Sequence, residues 1–440
     1  MKKTGVIWLG HADYLDENCA AVQRAVNAVL GSVEGIESQV LPVATSEKEA
    51  VKAVREMIAR DVCGAVLVLT SWVECNVVMA ALKELRGRPC MFWGFPPDEV
   101  EGRKESTGSF VSATMFNGVL RRLGLSCPTL YAGWNDPEAV KQLSAFAKAA
   151  KVIDHLYYAK IGLFGYTSMS IYTGTFDHVL LRWMIGPEVE QMDTYSLIRA
   201  AEAVPEEEVN AAVERLKGMA ICRENAAPEF LKKTMAIYVA LRNFCKEKDW
   251  QAVNVKCQYE LSKEYKVVPC VALSLLAEDG ICAACEGDML CTVSMMILQQ
   301  LCGDMVWYGD SLTQWDNTVQ FSPCGFMPFS MAKKPVYVQK FLEHPGFTGI
   351  QVSGVMRPEK VTWMRLVEDV GSYHIVYGTG NGTETQPRGG CMPALNVELD
   401  GDIKKLEKEY SGQHYALVYG DHADEIALFA ELMGIEARRV

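Results

Sequence analysis

The chain has 440 residues, more than one ordinary core accommodates and enough for two or three domains. Hydrophobic residues make up 49% and charged residues 22%, a globular composition, and the net charge of −12 offers no basic footprint for nucleic acid and no polybasic membrane anchor. The apolar run after Lys2 and Lys3 is broken by Gly10, His11 and Asp13, so it does not read as a secretory signal, and no stretch approaches the roughly 18 uncharged apolar residues of a membrane span.

The 15 cysteines lie mostly in apolar surroundings, as at Cys63, Cys90, Cys257 and Cys302. The CxxC pair Cys282 and Cys285 has no second pair to complete a structural zinc site. Free thiols in a reducing cytoplasm are the expectation.

Residues 1–155 alternate short apolar runs with helical stretches. Strands are expected at 4–9, 35–42, 65–70 and 89–95, and helices at 18–30 and 46–60, the latter opened by the capping pair Ser46 and Glu49. This βαβ rhythm implies a doubly wound sheet. The rhythm restarts at Lys160, which sets a boundary near residue 155. Residues 156–325 read as a second doubly wound α/β domain, with strands at 160–165, 252–257, 280–285 and 305–309 and helices at 176–185, within 205–248 and at 289–301. Residues 326–440 change character: short strands at 348–353, 360–366 and 373–377 are separated by turn residues, and a helix follows at 424–433. That part reads as a mainly antiparallel, barrel-like β domain.

Two carboxylates occupy matching places in the second part. Glu286 ends one apolar strand, and Asp310 follows Met305-Val306-Trp307-Tyr308-Gly309 at the end of the next. Parallel sheets bind ligands outside the carboxyl ends of their strands, so neighbouring strands would send both carboxylates into one crevice. Hard oxygen donors suit Mg²⁺ or Mn²⁺, and an added imidazole shifts the preference towards Mn²⁺. Carboxylates at strand ends also serve as helix caps or solvated loop residues, and spacing alone leaves both readings open.

The segment from Glu286-Gly287-Asp288 to Tyr308-Gly309-Asp310, with Trp315 beyond it, resembles the metal-binding segment of L-fucose isomerases. Gly412-Gln413-His414, followed by a strand and a terminal helix, is similar to the C-terminal motif carrying that family's third ligand, and L-arabinose isomerases share a related arrangement. Further likenesses lie at Trp93-Gly94-Phe95, at Lys160 to Tyr172 including Ser168, at Val255-Lys256-Cys257-Gln258 and at Phe321-Ser322.

The resemblance implies a metal-dependent aldose–ketose isomerase working through a cis-enediol. Glu286, Asp310 and His414 would be the ligands of Mn²⁺, or of Mg²⁺ or Co²⁺, and Glu286 and Asp310 the proton-transferring pair. It further implies contacts to a free monosaccharide from Gln258, Ser322, Gln413 and Ser168, and a homotrimer or homohexamer in which His11 and Trp72 of a neighbouring subunit complete the site.

Thr167 stands where relatives carry Arg, and Gln413 where fucose isomerases carry Asn, so the substrate need not be fucose. A pentose, a deoxy sugar or a C6-modified sugar fits the pattern. Arg388, in the Gly-rich stretch 378–390, would suit an anionic tail such as a sulfonate, or be an ordinary solvated loop residue. The other class of function is a non-catalytic sugar-binding or regulatory protein on the same fold.

Overall fold

A computed structural model describes residues 2–100, 103–342 and 346–440, and the chain divides into two compact units. The first comprises residues up to His155 together with Asp424–Glu436. Its four-stranded sheet is parallel throughout, in the order Thr4–Leu9, Gly64–Leu69, Cys90–Gly94 and Thr129–Tyr131. Alternate side chains serve opposite faces, as the pleat dictates. Ile7, Leu9, Leu67, Leu69 and Phe92 pack with the helices Glu47–Ile58 and Cys75–Leu85. Trp8, Val66, Val68 and Trp93 pack with Val26, Leu30, Leu143 and Phe146, joined by Leu428 and Leu432 of the helix Ala423–Met433. The sheet is therefore doubly wound.

The stretch expected as a second strand, 35–42, is not one. It bridges the strand Thr4–Leu9 at Ile36, and the chain returns to that strand only at Ala44, beyond the stretch. Between them, the carbonyls of Gln39 and Leu41 accept from the side chains Trp8 Nε1 (3.0 Å) and Gln23 Nε2 (2.6 Å) rather than from a strand. Pro42 has no N–H to give to a ladder, so the apolar run becomes a tethered loop.

The second unit, Leu156–Ala423 with residues 437–440, holds two main sheets. One is parallel, in the order Cys282–Cys285, Ala252–Val255, Lys160–Phe164 and Glu188–Met192. The other is a seven-stranded antiparallel sheet that includes, in order, Lys360–Asp369, His414–Tyr419, Trp307–Trp315, Thr318–Phe321, Leu395–Leu399 and Ser372–Thr383, and it closes into a barrel by pairing the first of these with the last. Trp363 and Tyr415 meet edge-on inside it.

The expected strand at 305–309 belongs to this barrel and not to the parallel sheet. The helix Met289–Cys302 ends on Gly303 in the left-handed region, φ 68°. The chain then runs as Trp307–Trp315 and turns back at Asp316-Asn317 into Thr318–Phe321, with Trp315 opposite Thr318. Asp316 takes a positive φ of 49°, a conformation that Asp and Asn adopt more readily than most residues, so Asp-Asn between two such runs is compatible with a turn. The barrel thus draws strands from both sides of residue 325.

Gly162 sits under the Trp250 indole, where a Cβ would lie 2.2 Å from the ring. Trp250 is buried and wedged against Phe164 and Phe244. Gly162→Ala is expected to destabilise the protein by about 1–3 kcal/mol through overpacking. Urea unfolding checks this, and an unchanged midpoint would show that the indole moves freely.

Candidate active site

The site is built where the carboxyl end of the parallel sheet meets the barrel, within the second unit. The strand Cys282–Cys285 delivers Glu286, whose φ of 68° is in the left-handed region, and Gly287 follows at φ 71°. Gly287 has no alternative there, since a Cβ would approach Tyr166 O to 2.4 Å. Asn254 on the neighbouring strand fixes this turn. Its Oδ1 accepts from Gly287 N (2.9 Å) and its Nδ2 donates to Asp288 O (3.1 Å) and Thr292 Oγ1 (2.9 Å). The turn ends as Asp288 caps the helix, accepting Cys291 N at 3.0 Å.

Asp310 does not end a parallel strand, as its sequence context suggested. It lies inside the barrel strand Trp307–Trp315, directly opposite His414 in the antiparallel register. Opposed residues of such a pair share one face of the sheet, so carboxylate and imidazole emerge side by side. His414 Nε2 is 3.3 Å from Asp310 Oδ1 and 3.5 Å from Glu286 Oε2. The three residues expected to act together are thus brought together, by a ladder and a turn instead of two adjacent parallel strands.

His414 is fully buried, and a second carboxylate orients it. Its Nδ1 lies 2.8 Å from Asp288 Oδ2, and the Tyr308 ring packs edge-on against it. Arg365, buried on the adjacent barrel strand, donates to Asp288 Oδ2 (2.9 Å), His414 O (2.7 Å) and Thr173 O (2.5 Å). Burial works against a charged His414, but Asp310, Asp288 and Glu286 outweigh it and carry its pKa well above the ordinary histidine value. Burial likewise opposes ionisation of Asp288, yet Arg365 and His414 hold its carboxyl well below the usual carboxylate range. A cation is therefore favoured at this spot.

The donor set fits a divalent ion: two carboxylates and one imidazole converge, and His414 Nε2 is buried without an aligned hydrogen-bond partner. Ser168 Oγ and Gln258 Oε1 are also buried without a partner. Buried polar atoms are nearly always satisfied, so these atoms have hydrogen-bonding capacity left for a ligand. Ser168 N donates to Glu286 O at 2.7 Å, and Met169 and Ser170 next to it both carry positive φ. Gln258 follows Cys257, whose sulfur lies within 4.8 Å of the donor atoms of Cys285 and Glu286.

Other expected residues reach the same place by backbone ties. Ser322 N donates to Asp310 O (2.9 Å), and Ser322 Oγ accepts from Arg388 Nε (2.9 Å). Arg388 is half-buried in a tight turn closed by Gly389 and Gly390. The Gln413 carbonyl accepts from Ser311 N (2.7 Å), which holds the residue beside His414. His11 and Trp72 belong to the first unit, where their rings sit 5.2 Å apart beyond the carboxyl ends of two adjacent strands.

The sequence reading missed Asp288 and Arg365. Asp288 was given no role of its own, although an Asp just before an apolar helix is a capping signal. Arg365 interrupts the apolar run 361–367, and a lone guanidinium in such a run calls for a buried partner. Lys256 was also passed over. It is fully buried, pairs with Glu260 (2.6 Å) and lies over the Tyr166 ring at 3.7 Å. The nearby thiols are kept protonated: a hydrogen bond with Cys285 pulls Cys257 down, but burial and the Glu286 charge lift it to about 11.

The comparisons support a sugar isomerase, an enzyme interconverting aldose and ketose. Residues 164–303 match the L-arabinose isomerase central domain. Sulfoquinovose isomerase from Clostridium sp. (strain MSTE9) is 24% identical over 393 residues, covering 86% of each chain. Its counterpart from Priestia aryabhattai is 22% identical and covers 82% of each. L-Arabinose isomerase from Bacillus subtilis (strain 168) is 19% identical over 96% of this chain and 91% of its own. Along most of its length the chain is thus similar to members of the fucose/arabinose isomerase superfamily.

Asp288→Asn would leave Arg365 charged and buried without a counterion, which typically costs about 3–5 kcal/mol. Urea unfolding of the protein without added metal should show a loss of that size. A loss below about 1 kcal/mol would mean that water reaches the pair.

Proposed function

We propose that the protein isomerises a C6-sulfonated aldohexose of the sulfoquinovose kind to its ketose, with a divalent ion, Mn²⁺ foremost, held by Glu286, Asp310 and His414. The observation that carries the substrate is the link from Asp310 O through Ser322 to the Arg388 guanidinium. It supports a planar cation tied, through Ser322, to the backbone of the proposed metal carboxylate, and a sulfonate at the far end of a hexose is its proposed partner. A guanidinium suits a sulfonate because its fork can donate two parallel hydrogen bonds. The relatives named sulfoquinovose isomerase, matching along most of the chain, support the same choice.

The chain's own groups divide the chemistry between them. Ser168 Oγ and Gln258 Oε1 offer unspent hydrogen-bonding capacity to sugar hydroxyls. Glu286 takes the C2 proton of the aldose and returns it to C1 of the cis-enediol, and Asp310 serves the hydroxyl proton that must move with it. Asp288 keeps His414 Nε2 turned towards the two carboxylates. When bound, a divalent ion supplies Lewis acidity at the oxygens on C1 and C2. A merely sugar-binding role has no observation in its favour.

A reducing cytoplasm suits the fifteen cysteines, which are all free thiols. Among the described residues no helix is long and apolar enough to cross a membrane. The helix His178–Met184 leaves Val179 78% and Trp183 87% exposed, with Tyr172 at 83% nearby in sequence. That face is proposed as a contact of a homotrimer or homohexamer, in which His11 and Trp72 of a neighbouring copy close the sugar site. Light scattering should return three or six chains, and an active monomer would refute the shared site.

The catalytic assignment has its own test. Chelation should abolish turnover of sulfoquinovose, and Mn²⁺ should restore it better than Zn²⁺. Glu286→Gln should lower kcat by roughly 10²–10⁴-fold, as for loss of a general base. His414→Ala should be partly rescued by excess Mn²⁺, and Glu286→Gln should not. Arg388→Ala should raise KM for the sulfonated sugar while leaving Mn²⁺ affinity unchanged. Equal turnover of glucose and sulfoquinovose by the unmodified enzyme would dismiss the sulfonate reading.

A further inference from the structure

Glu286 faces two different chemistries at once. Its Oε2 looks towards the His414 imidazole at 3.5 Å, and its Oε1 lies 3.9 Å from the Cys324 thiol. Cys257 and Cys285 also lie beside this carboxylate, brought together by adjacent parallel strands in which Val255 stands opposite Cys285. One donor atom from each of Cys257, Cys285 and Glu286 falls within a 4.8 Å sphere of mutual distances, and all three residues are buried. The Cys285 sulfur also contacts the Tyr308 hydroxyl, the same tyrosine whose ring supports His414.

We infer that Cys257, Cys285 and Glu286 form a second metal site, specific for thiophilic divalent ions such as Zn²⁺ or Cd²⁺, which competes with the proposed Mn²⁺ site for the Glu286 carboxylate. Sulfur donors select softer ions, while the carboxylate–imidazole set selects harder ones, so the two sites sort ions by chemistry. Two metal–sulfur bonds of about 2.3 Å at a tetrahedral angle hold sulfurs roughly 3.8 Å apart, so the donors need close in by only about an ångström. Cys324 supplies a further sulfur within reach. On binding, two S–H bonds break and two S–metal bonds form. Both protons pass to solvent, and no electron changes hands. Occupation turns Glu286 away from Asp310 and His414, so thiophilic ions act as competitive inhibitors with respect to Mn²⁺.

The site can be read without substrate. Metal-free protein, kept reduced with a phosphine, is titrated with Cd²⁺ while the ultraviolet thiolate-to-cadmium charge-transfer absorption is followed. The band should saturate at about one ion per chain and disappear in Cys257→Ser and in Cys285→Ser. It should survive in Cys302→Ser, a control thiol elsewhere in the chain. Preloading with excess Mn²⁺ should raise the Cd²⁺ concentration needed for half-saturation. Absence of the band, or its persistence in both Cys257→Ser and Cys285→Ser, overturns the inference. Should those variants fail to fold, X-ray absorption at the cadmium edge of the unmodified protein decides the matter, with two or more sulfur neighbours expected and fewer than two refuting it. Because no sugar is present, failure of the sulfonate reading leaves this result untouched.

Discussion

A guanidinium and a carboxylate, both shut away from water, hold the two sheets of the second unit to a single geometry. Arg365 comes from a barrel strand, and Asp288 from the turn that leaves the parallel sheet. Removing two such charges from water is expensive, and their attraction repays it only when every remaining donor and acceptor is placed. Here most are: Asp288 also caps a helix and holds His414 Nδ1, and Arg365 also binds two backbone carbonyls. The pair therefore acts less as a source of stability than as a gauge of position. Gly412 belongs to the same constraint, since a Cβ there would meet the guanidinium at 2.6 Å.

From that anchor the rest of the site follows as local geometry. Asp310 is carried to His414 by one rung of a ladder, and Glu286 is presented by two successive residues in the left-handed region. Such backbone is strained for a glutamate and persists only where its surroundings dictate it. Those surroundings are Asn254, Ser168 and the Val255 carbonyl, each bonded to the turn. The proposed catalytic carboxylate of Glu286 is placed by backbone it could not choose for itself.

Much of the fold was legible in the sequence because the first unit and the parallel sheet announce themselves by continuous apolar runs punctuated by capped helices. The barrel's existence was legible from its turn residues. The two misreadings share a cause: an apolar run says that a segment is buried, not what it pairs with. Residues 35–42 lost their ladder to the side chains of Trp8 and Gln23, which lie outside any local window. The strand at Trp307 was assigned to the wrong sheet because the Asp316-Asn317 hairpin beyond it was overlooked. The Glu286, Asp310 and His414 set came from resemblance, since a register between distant strands cannot be read from spacing. Arg365 and Asp288 were legible in principle, as a charge in an apolar strand and an acid before an apolar helix. Only their partnership needed three dimensions.

The helix Ala423–Met433 carries a consequence for how the chain is made. Leu428 and Leu432 complete a core whose other members lie before residue 151, so the first unit is discontinuous in sequence. A ribosome releases chains from the N-terminus at about 5–20 residues per second, and domains usually fold as they emerge. For this chain, most of the first core can assemble early, because Val26, Leu30, Leu143 and Phe146 already pack on that face of the sheet. Leu428 and Leu432 join its edge only after the barrel has been synthesised, and His414 arrives shortly before them. The last contacts of the first core and the last residue of the candidate site are thus nearly simultaneous events in synthesis.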